Sequence, residues 1–263
     1  MASIMDQERQ FHIRTIPDEI GKYVILPGDP DRVPKIAEYL DNAKQVAHNR
    51  EFNVFTGYLK GEKVTVCSTG IGGPSAAIAE EELIKCGADT FIRIGTSGGI
   101  DLSVSGGDLI IASASIRSEG TSHEYIPDNY PAVADHEVVN ALESAAKELS
   151  DDKIGNQYHV GVVHSKDSFY GEVEPDGSCV SEDIKERWNA YLKCGCLTSE
   201  METAALFSVA IARHVRCGAV LTALWNVERS KANLEDHITN DTTRGIKCAV
   251  RAVEILIEQD KNN

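Results

Sequence analysis

Residues 90–99 read TFIRIGTSGG, a mostly apolar run that ends in two glycines, and Arg93 is its only charged residue. A strand with one wet face would alternate polar and apolar residues, so an unbroken apolar run predicts a strand buried on both faces of a sheet. Five further runs have the same character. They cover residues 23–29, 64–70, 108–115, 159–165 and 218–226.

Helical patterns lie between several of these runs, with apolar residues at three- and four-residue spacing. They cover residues 34–40, 74–86, 132–149, 199–214 and 243–259. The segment at 74–86 begins with Pro74 and stops before Gly87, as expected for a helix start and stop. The sequence therefore predicts an α/β fold with a mixed, mostly parallel central sheet and helices on both faces.

Length, charge and cysteine content limit the class of protein. With 263 residues, 42% of them hydrophobic, we expect residues 1–263 to form a single domain. A net charge of −15 opposes binding to nucleic acid, so a phosphate group would need a local basic site. No signal segment or membrane-spanning run is visible, which predicts a cytoplasmic protein without membrane attachment. The seven cysteines lack zinc-site spacing and are expected to be reduced thiols.

The least regular stretch is YGEVEPDGSCVSED, residues 170–183, which is rich in glycine, proline and acids. This composition predicts a loop or lid. It follows the predicted strand that ends near Ser165, at the strand end where open α/β sheets bind their ligands.

Two segments are candidates for an anion site. Residues 28–32, GDPDR, follow a buried strand, and a glycine turn lets backbone N–H groups approach an anion while Arg32 adds a fork of donors. A plain tight turn is the alternative. Arg93 lies in an otherwise buried strand, where a charge is costly unless it is paired or faces a ligand. Residues 96–99 add hydroxyl and N–H donors, so a phosphate cradle and a salt bridge to an acid such as Glu202 both stay open.

The segment STGIGGPS at 68–75 places Gly70 and Gly72 in the G-x-G order of dinucleotide-binding proteins. The third glycine position holds Ser75 and Pro74 opens the helix. Tight packing of strand against helix is therefore favoured over a dinucleotide-dependent oxidoreductase.

A pair of carboxylates lies at the start of the helix predicted at 199–214, where the chain reads SEMETAA. Helix capping is the simplest interpretation of Glu200 and Glu202, because the helix dipole favours carboxylates there. An ionised carboxylate only accepts hydrogen bonds, so the pair could also hold the hydroxyls of a vicinal diol.

Taken together, these segments resemble the nucleoside phosphorylase family, most closely its uridine phosphorylase branch. The matching blocks run nearly from end to end: FHI at 11–13, LPGDPDRVPKIA at 26–37, REF at 50–52, CSTGIGGPSAAIAEEEL at 67–83, FIRIGTSGGI at 91–100, YPAVADHEV at 130–138, DSFYGE at 167–172 and SEMETAAL at 199–206. The resemblance implies a distorted, barrel-like central sheet and a homo-oligomer, often a hexamer built as a trimer of dimers.

The activity that the resemblance implies is phosphorolysis of uridine to uracil and ribose 1-phosphate in pyrimidine salvage. Deoxyuridine and thymidine are further candidate substrates. Inorganic phosphate is then the co-substrate, and no cofactor is required. The resemblance also implies potassium as a monovalent cation at a dimer interface, where Glu51, Ile71 and Ser75 match the pattern.

The resemblance assigns roles residue by residue. For phosphate these are Gly28, Arg32, Arg93 and Thr96, with Arg50 supplied by a neighbouring protomer. For ribose they are Met201, Glu202 and, from a neighbouring protomer, His12. Phe169 and Gly98 fall in the base site, and Arg93 and Glu202 are the candidate catalytic residues.

Base recognition departs from the branch, whose members read uracil with a glutamine and an arginine shortly after this Phe-Tyr pair. Residues 169–175 read FYGEVEP and contain neither. A further arginine usual after the late strand is also replaced, since Asn226 is followed by Val227. We hypothesise that Lys166 donates to a uracil carbonyl and that Glu172 accepts from N3–H. A solvated lysine at a strand end is the alternative.

Three other functions stay open. A purine nucleoside phosphorylase would need an acid after the late strand, where Asn226 and Val227 supply none and Glu228 stands one residue further on. A hydrolytic nucleosidase would use water and have no need for the phosphate arginines. A non-catalytic nucleoside-binding protein would explain the missing uracil-reading pair but not those arginines.

Overall fold

The computed structural model describes residues 9–262. Its strands are β1 (Tyr23–Pro27), β2 (Asp41–Asn49), β3 (Phe52–Leu59), β4 (Glu62–Cys67), β5 (Thr90–Gly99), β6 (Leu109–Ser118), β7 (Ala132–Val133), β8 (Tyr158–Lys166), β9 (Thr198–Glu200) and β10 (Arg216–Asn226). Its α-helices are α1 (Arg32–Ala37), α2 (Gly73–Lys85), α3 (His136–Leu149), α4 (Phe169–Val173), α5 (Ser181–Lys193), α6 (Thr203–Arg213), α7 (Val227–Lys231) and α8 (Thr243–Asn262).

All of these strands belong to one sheet, part of which closes on itself. β5 pairs with both β9 and β10, and the pairings β10–β6, β6–β8 and β8–β9 complete a ring. β1, β4, β3 and β2 extend the sheet from β5, and β7 pairs with β6. Parallel and antiparallel pairings are equally numerous among the described strands, so the sheet is mixed as predicted but has a smaller parallel share than the sequence indicated. The mixed, barrel-like sheet that the resemblance implied is confirmed.

Two apolar cores lie on opposite faces of the sheet. Val24 and Leu26 of β1 enter the core that contains residues of α2 and α6. Tyr23 and Ile25, the alternate residues, enter the core that contains residues of α1, α3 and α8. Side chains alternate between the faces of a strand, so β1 stabilises both layers, at roughly 1.5–3 kcal/mol for each fully buried apolar side chain. Helices on both faces are therefore confirmed.

The segment predicted as one helix over 199–214 is a strand followed by a helix. Ser199 pairs with Gly98 of β5 and His164 of β8, so β9 closes the ring, and α6 begins only at Thr203. Backbone pairing with distant strands outweighs the local helical periodicity here. The helix predicted from residue 132 likewise begins at His136, because residues 132–133 pair with β6.

The predicted lid at 170–183 has more regular structure than the sequence indicated. It contains most of α4 and a 3-10 turn, and it ends inside α5. Within the described chain, neither α4 nor α5 has a buried residue. A helix that covers a cavity instead of a core needs few apolar positions, which explains why sequence periodicity missed α5.

Three properties bear on the class of protein. In the described part of the chain, no helix is long and apolar enough to cross a membrane. All seven cysteines are free thiols, five of them buried. No cluster of three or more His, Cys, Asp or Glu side chains within residues 9–262 could hold a metal ion.

Candidate active site

A cavity of about 670 Å³ opens where β1, β5, β8 and β10 end. The residues predicted to bind phosphate from within the same chain, Gly28, Arg32, Arg93 and Thr96, all line it. So do the ribose candidates Met201 and Glu202 and the base candidates Gly98, Lys166, Phe169 and Glu172. The fold thus brings ten separately identified residues to one site.

Arg93 is the charged centre of this cavity. It is 3% exposed, and its Nε donates to Glu200 Oε2 at 3.2 Å while its Nη2 donates to Glu202. Its Nη1 is buried and has no partner among the residues that the structure describes. The salt bridge expected as one alternative is present, yet the two N–H groups of Nη1 stay available. Leaving a buried donor unpaired costs about 1–3 kcal/mol, so a bound anion would satisfy it.

The two carboxylates beside Arg93 have different environments. Glu200 accepts from the backbone N–H groups of Glu202 at 2.8 Å and Thr203 at 3.0 Å, which satisfies donors at the start of α6. Glu202 accepts from Gly72 N at 2.6 Å. Burial, with the nearby charge of Glu200, raises the pKa of Glu202 above its ordinary value, against the opposing charge of Arg93. Glu200 therefore supports the start of the helix, whereas Glu202 is the carboxylate placed for a ligand.

Arg32 adds a second cation to the cavity at the start of α1. Burial lowers its pKa, and the charge of Arg93 lowers it further. The carboxylate of Asp29 is 4.0 Å away, at the limit of an ion pair. Gly28 allows a close backbone approach here, because its carbonyl accepts from Gly70 N at 2.9 Å and an added Cβ would lie only 3.3 Å from Gly70 O. Arg32, whose acid lies at the limit of an ion pair, therefore favours an anion beside Arg93.

Lys166 is a further buried cation that lines the cavity. Its Nζ donates to Ser199 Oγ at 2.6 Å and lies 2.9 Å from Glu172 Oε1, with its side chain only 10% exposed. The alternative of a solvated strand-end lysine is therefore wrong. An ammonium group has three N–H donors, so one remains after these two contacts. Phe169 lies beside it, with Nζ 5.9 Å from the ring centroid.

Glu172 joins Lys166 to a buried histidine. Its Oε1 accepts from Ser199 Oγ at 2.6 Å, and its Oε2 lies 3.0 Å from His164 Nδ1. Burial raises the pKa of Glu172, but the hydrogen bonds from His164 and Ser199 and the charge of Lys166 outweigh it and lower the pKa to about 2. The carboxylate is thus ionised at neutral pH and acts only as an acceptor.

A family model described as Phosphorylase superfamily matches residues 22–258. The chain belongs to the phosphorylase superfamily. A uridine phosphorylase of Treponema pallidum (strain Nichols) is 45% identical over 260 residues, which span 99% of each chain. A uridine phosphorylase of Thermococcus kodakarensis is 42% identical over 97% of this chain and 90% of its own. A guanosine phosphorylase of Halorubrum lacusprofundi is 35% identical over 92% of this chain and 95% of its own.

In this phosphorylase, the residues predicted to act between protomers lie apart from the residues above. Neither His12 nor Arg50 lines the cavity in the described part of the chain. His12 Nδ1 lies 2.7 Å from Glu82 Oε1, and Arg50 is exposed. Their contribution to a neighbouring cavity stays a prediction. Of the cation candidates, Ser75 Oγ donates to Glu51 Oε1 at 2.8 Å, and Ile71 is 79% exposed at the cavity mouth.

Four residues of the phosphorylase site were not singled out by the sequence. Ser199 and His164 complete the polar cluster around Glu172. Trp225 covers Gly98, where an added Cβ would lie 3.7 Å from Trp225 Nε1. Trp188 of α5 also lines the cavity. His164 and Lys166 are alternate residues of one strand and therefore share a face, which was a signal available in the sequence. The tryptophan contacts join distant segments, so no local sequence pattern indicates them.

Proposed function

We propose that this protein is a uridine phosphorylase, which uses inorganic phosphate to convert uridine to uracil and ribose 1-phosphate in pyrimidine salvage. The observation that carries the proposal is one cavity that contains both an unpaired Arg93 donor and the Lys166–Glu172 pair. Phosphorolysis needs a site for an anion and a site for a nucleobase, and these two groups would supply them. Full-length similarity to proteins named uridine phosphorylase supports it.

Phosphate binds at the cationic side in this proposal. Arg93 Nη1 and Arg32 donate to it, with Gly28 and Thr96, and Arg50 of a neighbouring copy completes the site. The C1′–N1 bond lengthens and C1′ gains oxocarbenium character. A phosphate oxygen then forms the new bond to C1′ while the bonding electron pair leaves with the uracil ring. Positioning and electrostatic stabilisation supply most of the rate acceleration.

Glu202 and the backbone of Met201 hold the ribose 2′ and 3′ hydroxyls, and His12 of a neighbouring copy meets the 5′ hydroxyl. The same guanidinium that offers Nη1 to phosphate also holds Glu202 through Nη2. One arginine therefore fixes the sugar and its attacking anion relative to each other.

The base side reads the uracil imide with two residues that replace the usual glutamine and arginine. The third N–H of Lys166 donates to a carbonyl of the ring. Glu172 Oε1 already accepts from Lys166 and Ser199, so the free lone pair on Oε2 accepts from N3–H. Phe169 packs against sugar and base. Deoxyuridine and thymidine present the same imide edge, whereas cytidine has no N3–H and is expected to react poorly.

Purine nucleosides are the second candidate, favoured by the relative named guanosine phosphorylase. The structure offers little to protonate a purine ring. Asn226 Nδ2 donates to Asp101 O at 2.7 Å and Val104 O at 2.8 Å. Glu228 accepts from Trp188 Nε1 and Lys231 Nζ, both at 2.8 Å. Because both side chains are engaged, uridine is the favoured substrate.

Assembly and ions are part of the same proposal. We propose a cytoplasmic homo-oligomer, a hexamer built from dimers as the family resemblance implies, in which each cavity receives residues from a neighbour. Potassium would bind at the dimer interface to oxygens of Glu51, Ile71 and Ser75. The side-chain oxygens of Glu51 and Ser75 lie together, as such a cation requires. Comparing activity and melting temperature in potassium and tetramethylammonium chloride at equal ionic strength tests this.

Uracil release from uridine, followed by absorbance with and without inorganic phosphate, tests the proposed reaction. Inosine, guanosine, thymidine and cytidine serve as competing or alternative substrates. We expect phosphate-dependent cleavage of uridine in preference to the purine nucleosides. Cleavage that ignores phosphate would identify a hydrolase, and preference for inosine or guanosine would overturn the base assignment while leaving the phosphate side in place.

A further inference from the structure

His164 has no part in the reaction proposed above, yet it is 3% exposed beneath the cavity wall. It belongs to β8 and contacts both lid helices. Its Nδ1 lies 3.0 Å from Glu172 of α4, and its ring centroid lies 4.6 Å from that of Tyr191 of α5. It also approaches Ser199 of β9, with Nδ1 3.3 Å from Oγ. His164 thus joins the barrel to both lid helices.

The hydrogen bonds around His164 fix its tautomer. Ionised Glu172 can only accept, so Nδ1 must carry the hydrogen. Nε2 is buried and contacts no donor or acceptor within residues 9–262. The geometry therefore assigns Nδ1–H as the group that faces the carboxylate.

The Glu172 side chain depends on contacts with the barrel for its position, because α4 itself is not packed into a core. None of the described residues of α4 is buried, and those of α5 are not buried either. The side chain of Glu172 is 11% exposed and makes its contacts with three residues of the barrel: His164, Lys166 and Ser199. Two of these contacts are to Oε1, and His164 alone of the three engages Oε2. Without it the carboxylate is free to rotate about its last bond.

We propose that His164 is a positioning residue for nucleobase recognition: its Nδ1–H fixes the Glu172 carboxylate, which in turn holds Lys166 with one N–H directed at the base. This rests on the proposed function, in which Lys166 and Glu172 read the uracil imide. His164 touches neither base nor phosphate in this arrangement. Its loss should weaken uracil and uridine binding and leave the phosphate side unchanged.

Three substitutions separate hydrogen bonding from packing. His164→Asn keeps an N–H donor near the position of Nδ1, His164→Gln moves the amide towards the position of Nε2, and His164→Leu keeps the volume without a donor. His159→Asn is the matched control. His159 lies on the same strand and its Nε2 is 3.2 Å from Asp108 Oδ2, but it is not part of the described cavity lining.

The experiment measures kcat and both KM values for uridine and phosphate, and the Kd of uracil by quenching of Trp188 and Trp225, which line the cavity. We expect His164→Leu and His164→Gln to weaken uracil binding and lower kcat/KM for uridine about tenfold or more, with phosphate KM within twofold. His164→Asn should stay within about threefold of wild type, and His159→Asn within about twofold.

Equal effects of His164→Asn and His164→Gln would overturn the inference, because a packing role does not distinguish the two nitrogens. A parallel rise in uridine and phosphate KM would overturn it as well. If His164→Leu does not fold, the Asn and Gln pair still decides the question. A wild-type protein that binds uracil but does not cleave uridine would instead refute the proposed function, and the uracil Kd series would still test His164.

Discussion

The two sides of the cavity are built from different parts of the fold. On the phosphate and ribose side, Arg93, Glu200 and Glu202 come from β5, β9 and the start of α6, and each is at most 5% exposed. On the base side, Glu172 and Trp188 come from the lid helices α4 and α5, which have no buried residue in the described chain. The first side is fixed by the sheet, whereas the second depends on a few polar contacts between lid and barrel.

Loss of Arg93 should have the largest effect. Arg93→Gln removes the phosphate donor and leaves Glu200 and Glu202 without their buried partner, so we expect kcat/KM to fall at least a hundredfold. Breaking a buried pair costs about 3–5 kcal/mol of unfolding free energy, measurable by urea denaturation. Arg213→Gln is the control, because its ion pair with Glu81 is half exposed and worth about 0–1 kcal/mol. Equal destabilisation by Arg93→Gln and Arg213→Gln would show that the buried ion pairs of Arg93 do not stabilise the phosphate and ribose side.

Loss of the Lys166 charge should affect the base side alone. Lys166→Met keeps the apolar stem, and losing a hydrogen bond from a charged donor costs about 1.5–3 kcal/mol, so uridine kcat/KM should fall about 10- to 100-fold. Phosphate KM should stay within twofold. Steady-state kinetics with each substrate varied in turn provide the measurement. A uridine kcat/KM within twofold of wild type would remove Lys166 from base recognition.

The lowered pKa of Glu172 predicts a pH dependence of stability. A carboxylate whose pKa falls from 4.5 to about 2 on folding stabilises the protein fully above pH 4.5, and this contribution is lost as the pH falls towards 2. The shift has an upper limit of about 3 kcal/mol, which residual solvent exposure reduces to about 2 kcal/mol. Between pH 5 and pH 3, wild type should therefore lose more unfolding free energy than Glu172→Gln. Parallel urea curves at the two pH values would contradict this.

The contact between helices α5 and α7 should have the smallest effect. Trp188 Nε1 donates to Glu228 Oε1 at 2.8 Å. Trp188→Phe removes this hydrogen bond and should lower uridine kcat/KM about two- to fivefold. Glu228→Gln should give a similar decrease, and the double variant should be no worse than either single one. Fully additive effects would show that the contact does not couple the helices.

The same contrast explains what the sequence could predict. The buried strands and Arg93 were recognisable because apolar runs are local and a charge within one stands out. The local pattern wrongly predicts a helix at residues 199–200, because their strand pairing depends on β5 and β8, which lie far away in the sequence. Lys166 and Glu172 were identified, but the His164 and Ser199 contacts that orient them arise only when lid and barrel meet.

The most direct test of this account is a crystal structure of the protein with uracil and phosphate bound. The account predicts a phosphate oxygen about 3 Å from Arg93 Nη1 and a uracil carbonyl oxygen about 3 Å from Lys166 Nζ, with N3–H directed at Glu172. Uracil bound away from Lys166, or phosphate bound away from Arg93, would contradict the assignment of the two sides of the cavity.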